Sequence, residues 1–78
     1  MEPAKTVNLL GEICPMTWVR TKLALEGMGA GEVLEVWLDE GEPAESVPQS
    51  AEAEGCALEA AAPRPGGGVI IRLRKPSG

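Results

Sequence analysis

The sequence predicts an α+β domain, a two-layer α/β sandwich of order β-α-β-α-β-β with a mixed four-stranded sheet and two helices on one face. Two observations predict it. Four short segments alternate apolar and polar residues, as half-buried strands do, and glycine or proline breaks separate them. Two longer stretches between those segments carry helix-start and helix-stop signals. Helices that must cover one apolar sheet face lead to two layers. With 78 residues the chain has room for one domain, 1–78, and a thin core, because a chain this small buries only about 60% of its unfolded surface.

Lys5 to Leu10 alternates, with Val7 and Leu9 on one face and Asn8 and Leu10 on the other, and reads as the first strand. Gly11 breaks it. Pro15 stands where a helix begins, since its fixed φ suits a first helical position. That helix is expected to run to about Met28 and to stop at Gly29-Ala30-Gly31. At roughly 100° per residue, Thr17, Trp18, Thr21, Ala24, Leu25 and Met28 share a stripe without charges, the expected core face. Arg20, Lys22 and Glu26 lie opposite. Met16, Val19 and Leu23 fall among the charges, either as the edge of a thin core or as exposed contacts for a partner, with Arg20 beside them.

Val33 to Asp39 reads as the second strand, with Leu34, Val36 and Leu38 on one side. Glu40 to Pro43 turns the chain, and a second helix is expected to start near Pro48 and end at Gly55. Cys56 to Ala62 reads as the third strand and Val69 to Arg74 as the fourth, joined as a hairpin through a flexible tip at Gly66 to Gly68. A parallel first crossover is expected to be right-handed.

The net charge of −5 argues against stable nucleic-acid binding, which needs clustered Lys and Arg to neutralise phosphates. Arg20 with Lys22, and Arg72, Arg74 and Lys75, read as solvated charges on exposed faces. The absence of histidine removes the commonest general base and metal ligand. Two cysteines cannot close an ordinary zinc site, so no metal and no cofactor are expected. With neither a secretory h-region nor a long apolar run, the expectation is a soluble, cytoplasmic protein without membrane contact, its thiols free.

Cys14 directly precedes Pro15 and is therefore expected at the N-cap or beside it. There unpaired amides and the helix dipole favour an anion, and a thiolate so placed has a lowered pKa and is a nucleophile. A persulfide, also anionic, gains in the same way. Lacking a base, such a site suits transfer rather than hydrolysis. The alternative is a buried structural cysteine. Cys56 is either a resolving thiol for Cys14 or a small apolar residue at a strand edge. Trp18 and Trp37 read as core, with Trp18 close enough in sequence to shield the sulfur.

The run Gly11-Glu12-Ile13-Cys14-Pro15-Met16-Thr17, followed by a helix, then Gly31-Glu32-Val33-Leu34, then Ser46-Val47-Pro48, resembles the TusA/SirA family of sulfur carriers with its G-x-x-C-P-x-P motif. The resemblance extends from about Thr6 to Arg74. It implies a cysteine persulfide on Cys14 and Pro15 as the helix-entry residue. The implied role is a carrier rather than a stand-alone enzyme, serving tRNA thiolation or other sulfur or selenium metabolism. Implied partners are persulfide donor and acceptor proteins, such as a cysteine desulfurase or a rhodanese-like donor. Two residues depart from the pattern. Thr17 replaces the second proline, its hydroxyl expected to support the first turn by bonding nearby backbone; Asn8 replaces an acidic residue in the first strand. A regulatory binding module of the same fold and a Cys14/Cys56 thiol-redox switch are the competing functions.

Overall fold

The computed structural model describes residues 3–13 and 16–76, so Cys14 and Pro15 lie outside the described residues. The elements follow the expected order: β1 (Lys5–Asn8), α1 (Met16–Glu26), β2 (Val33–Leu38), α2 (Glu42–Ala53), β3 (Ala57–Pro63) and β4 (Val69–Arg74). They form one mixed four-stranded sheet in the spatial order β1-β2-β4-β3. β1 pairs parallel with β2, whereas β4 runs antiparallel to both β2 and β3. The α+β two-layer sandwich expected from the sequence is the fold observed.

The alternation in β2 decides which face is covered. Leu34, Val36 and Leu38 are fully buried, and their partners on β4 are Leu73, Ile71 and Val69. Leu9, Leu25, Met28, Val47 and Ala51 complete the core on that side, with Val7, Trp18 and Val69 packed against it. The opposite face carries ion pairs: Arg72 to Glu35 at 3.1 Å and Arg74 to Glu59 at 2.6 Å. Arg64 lies 5.1 Å from the ring centre of Trp37, a cation–π distance. Trp37 is thus half-buried on the sheet's open face rather than in the core. Arg72 and Arg74 belong to this paired layer and are not the solvated charges expected.

α1 buries the stripe that the periodicity selects, Thr17, Thr21, Ala24 and Leu25. It ends at Glu26, after which the Gly27 and Met28 amides bond three residues back and carry the turn on to Met28. Lys75 Nζ donates to the Met28 carbonyl at 2.6 Å, placing a cation at the negative end of the helix. Of the glycines expected to stop the helix, Gly31 is the one with positive φ.

α2 starts at Glu42, six residues before the expected Pro48. The chain holds two prolines that suit a first turn, and the one used is Pro43. Gly41 at φ 99° precedes it, and Glu42 and Glu45 supply the negative charge that a helix N-terminus favours. Pro48 lies inside the helix, where it gives up one backbone hydrogen bond. The other end is a Schellman closure: Gly55 at φ 94° donates to Glu52 O at 3.0 Å, and Cys56 donates to Ala51 O at 2.9 Å.

β3 is an exposed edge strand with an irregularity between Leu58 and Ala60, a device that blunts unpaired edges. It begins at Ala57 and ends on Pro63, one residue later at each end than expected, and proline is tolerated on an edge. The β3–β4 tip is not the loose loop expected. Arg64 N–H donates to Gly68 O at 2.9 Å, and its guanidinium donates to Gly67 O at 3.1 Å. Gly68 has φ 85°, and a Cβ there would stand 2.6 Å from the Leu38 carbonyl oxygen, so glycine is required by the close approach of the tip to β2.

Candidate functional site

The segment from β1 into α1 is held by four bonds that start from short polar side chains and turn geometry. Asn8 Oδ1 accepts the Leu10 N–H at 3.0 Å, an Asx-type turn that ends β1 two residues before the expected Leu10. Leu9 is buried, and its carbonyl accepts the Glu12 N–H at 3.1 Å. Gly11, at φ 83°, donates its N–H to Asp39 Oδ2 at 2.7 Å. The Met16 N–H donates to the Ile13 carbonyl at 2.8 Å. Arg20 reaches back from α1 to Glu12 at 3.1 Å. Both groups keep solvent access, so that pair orients more than it stabilises.

Asp39 is a site residue that sequence reasoning did not single out. The signal for it is the parallel register: Asn8 stands opposite Trp37, which sets the residue two past β2's Trp37 beside the loop that leaves β1. Because β1 and β2 are parallel, their carboxyl ends open on one rim of the sheet, the place where α/β proteins commonly put their sites. Asn8, the departure from the family's acidic residue, is occupied by its local turn.

The sequence-selected residues separate into two groups. Gly11 is exposed and clamped; Met16, Val19, Arg20 and Leu23 all lie at the surface of α1. Met16 is 42% exposed, Val19 40% and Leu23 62%, and Ile13, which the sequence reading did not select, is 76% exposed. Four large apolar side chains therefore occupy the segment that flanks and follows the Cys-Pro dipeptide. Thr17 points the other way, 1% exposed. Its hydroxyl does not support the first turn as expected: the oxygen has no hydrogen-bond partner among the described residues. Cys14 and Pro15, the acceptor and the helix-entry residue of the sequence reading, lie outside the described residues.

Trp18 is half-buried. It packs against the core and, with Leu25, Glu54, Lys75 and Cys56, lines a recess of about 160 Å³. Cys56 is a buried core residue, 7% exposed. Burial pushes its thiol pKa up, nearby Glu54 pushes it further, and Lys75 opposes them. Those are the surroundings of a packed thiol rather than of a nucleophile. Lys22 pairs loosely with Glu54 at 3.8 Å. Among the described residues, no group of three or more His, Cys, Asp or Glu is placed to hold a metal ion, and no helix is long and apolar enough to cross a membrane.

A small βαβαββ sandwich, with its clamped loop feeding a Cys-Pro dipeptide into the first helix, defines a class of compact single-cysteine-motif domains. Comparison with known proteins places the chain within that class. The family model "Sulfurtransferase TusA" matches residues 5–75, and the chain belongs to the TusA family. A protein of Archaeoglobus fulgidus named "Putative sulfur carrier protein" is 42% identical over 55 residues, 70% of this chain and 62% of that protein. One of Thermotoga maritima with the same name is 46% identical over 46 residues, 59% of this chain and 58% of that protein. The matched stretches thus span about three-fifths of both relatives. The crystal structure of a SirA-like protein from Desulfitobacterium hafniense superposes with a TM-score of 0.81 at 27% identity, covering 94% of this chain and 99% of that one.

Proposed function

We propose that the chain, acting as one domain over residues 1–78, is a sulfur carrier that holds a persulfide on Cys14 and passes its sulfane sulfur to a partner protein. The observation that carries this reading is the family match over residues 5–75, a stretch that includes Cys14-Pro15. The clamped loop supports it, because a carrier cysteine needs a fixed approach to helix amides that favour an anion.

The chemistry balances without an external oxidant. The Cys14 thiolate attacks the terminal sulfur of a donor persulfide; a new S–S bond forms on Cys14, the donor's S–S bond breaks, and the donor leaves as a thiolate. In the second half the acceptor's thiolate attacks the outer sulfur on Cys14, and Cys14 returns as the leaving thiolate. A depressed thiol pKa helps both halves, as nucleophile and as leaving group. With no histidine in the sequence there is no conventional base to direct water at the intermediate.

Ile13, Met16, Val19 and Leu23, with Arg20 beside them, form the contact surface for donor and acceptor in this reading. A cysteine desulfurase or rhodanese-like protein is the class of donor, and tRNA thiolation or another cytoplasmic sulfur pathway is the destination. The same exposed surface favours a second reading, a binding module that needs no sulfur chemistry.

Intact-mass measurement after incubation with a persulfide-bearing donor separates the two. Wild type gains about 32 Da, one persulfide sulfur, and Cys14→Ala gains nothing. Equal loading of both proteins removes the assignment to Cys14. Retained partner binding with no loading at all favours the binding module.

A further inference from the structure

β3 closes one side of the sheet, and the helix layer leaves its inward side uncovered. Leu58, Ala61 and Pro63 stand opposite Leu73, Ile71 and Val69 on β4, so they share the face that the helices cover, yet all three are exposed. Between them and α2 runs a groove of about 420 Å³, with Ala44 and Pro48 of α2 as its other wall. Every side chain that lines it is apolar. The outer edge of the α2 wall is acidic. Glu45 and Glu52 adjoin Pro48 on the helix surface, three residues before it and four after, and both are exposed. Neither has an ion-pair partner among the described residues.

Those features select the occupant. A small apolar ligand would find no polar group to orient it, which ligand pockets ordinarily supply. An added strand would meet the irregularity between Leu58 and Ala60 and the missing N–H of Pro63. The groove suits instead the apolar ridge of a helix, with cations beside the ridge to meet Glu45 and Glu52. The outer face of α1 has that form. Met16, Val19 and Leu23 follow one another at spacings of three and four, and all are exposed. At roughly 100° per residue, Arg20 lies on one side of that ridge and Lys22 on the other. Their pairs with Glu12 and Glu54 are open to solvent, so exchanging them for new carboxylates costs little.

We propose that the groove between α2 and β3 receives the α1 ridge of a second copy of this chain, with Arg20 and Lys22 facing Glu45 and Glu52. Ridge and groove lie on different elements, so the contact is head-to-tail. Its small size makes it weak and reversible, with a dissociation constant between about 10 μM and 1 mM. An associated chain has its α1 surface covered, and in the carrier reading it is thereby withheld from donor and acceptor. That consequence rests on the carrier reading; the contact itself does not.

Sedimentation velocity of the reduced protein, from about 10 μM to about 1 mM, tests the contact. The average mass of wild type is expected to climb above that of one chain as concentration rises. Leu23→Glu spoils the ridge and Ala61→Glu the groove; both positions are exposed, and each variant is expected to weaken association about tenfold or more. An equal mixture of the two variants keeps one intact ridge and one intact groove, and it is expected to form pairs and stop there. Val19→Glu and Leu58→Glu take their places where circular dichroism shows the first variant unfolded. Wild type that keeps the mass of one chain throughout overturns the proposal. So does association that survives either variant, or a mixture that stays monomeric. No sulfur donor enters the measurement, so a negative result here spares the carrier reading, and failed sulfur loading spares the contact.

Discussion

The two helices cover the same sheet face and bury similar inner stripes, yet their outer faces differ. α1 buries Thr17, Thr21, Ala24 and Leu25 and leaves Met16, Val19 and Leu23 at the surface. α2 buries Val47 and Ala51 and presents Glu42, Glu45, Gln49 and Glu52 to solvent, with no large apolar side chain exposed. Both arrangements fold, so the sandwich does not dictate the outer face of α1. An apolar surface that the core does not need, grouped on the element that follows the Cys-Pro dipeptide, is the mark of an interaction surface. α2 is scaffold; α1 is scaffold on one side and contact surface on the other.

Substitutions on the two faces break or sharpen that contrast. The largest effect is expected on the scaffold side. Val47 is fully buried between α2 and the sheet. Val47→Ala removes two methyl groups from a close-packed site and is expected to cost about 2 kcal/mol, a fall in melting temperature of roughly 10 °C, measured by thermal unfolding. Sulfur loading of the folded fraction is expected to be unchanged. The paired change Val19→Ser with Leu23→Ser is expected to behave oppositely. Each exposed position costs no more than about 0.5 kcal/mol in stability. The rate of sulfur uptake from a protein donor is expected to fall about tenfold, the loss of one interface residue of moderate importance, while alkylation of Cys14 by a small reagent is unaffected. A double variant that loses stability like Val47→Ala, or that takes up sulfur at the wild-type rate, erases the distinction between the faces.

Legibility in the sequence follows how local each determinant is. β4 is read at its observed bounds, Val69–Arg74, because strict alternation needs nothing but neighbours in sequence. The inner stripe of α1 is legible for the same reason. The start of α2 is not, because Pro43 and Pro48 carry the same local signal; the choice falls to Gly41's positive φ and to Glu42 and Glu45 in the first turn. Trp37 has the composition of a core residue and the register of an outward one, and register with Ile70 wins. The site divides likewise. The place of Met16, Val19 and Leu23 among charges leaves core edge and exposed contact both open, and only the packed structure shows them exposed. The Asp39 bond to Gly11 joins residues far apart in the chain and requires the β1–β2 register. The unpaired hydroxyl of Thr17 could not be read at all, since whether a buried threonine finds a backbone partner, as Thr21 does and Thr17 does not, depends on the three-dimensional geometry around it.

The smallest predicted effect concerns the sulfur on the scaffold side. Cys56 is packed in the core, and desolvation, with Glu54 adding to it, holds its thiol above the ordinary value of 9.0. A thiol pKa raised on folding means that the native state keeps the proton longer than the unfolded chain does. The contribution of this group to stability is therefore complete below the unfolded pKa and is lost as pH rises through the folded one. Wild type is expected to lose stability above about pH 9, the ordinary value for the thiol, as measured by urea unfolding between pH 7 and pH 11. Cys56→Ala is expected to be less stable at pH 7 by about 1 kcal/mol through lost packing. Because the variant has no thiol at that position, the gap narrows as pH climbs, even though lysines common to both proteins lose their charge in the same range. A gap that stays constant up to pH 11 means that Cys56 titrates as freely in the fold as out of it, and the division between a packed cysteine and a reactive one then loses its physical basis.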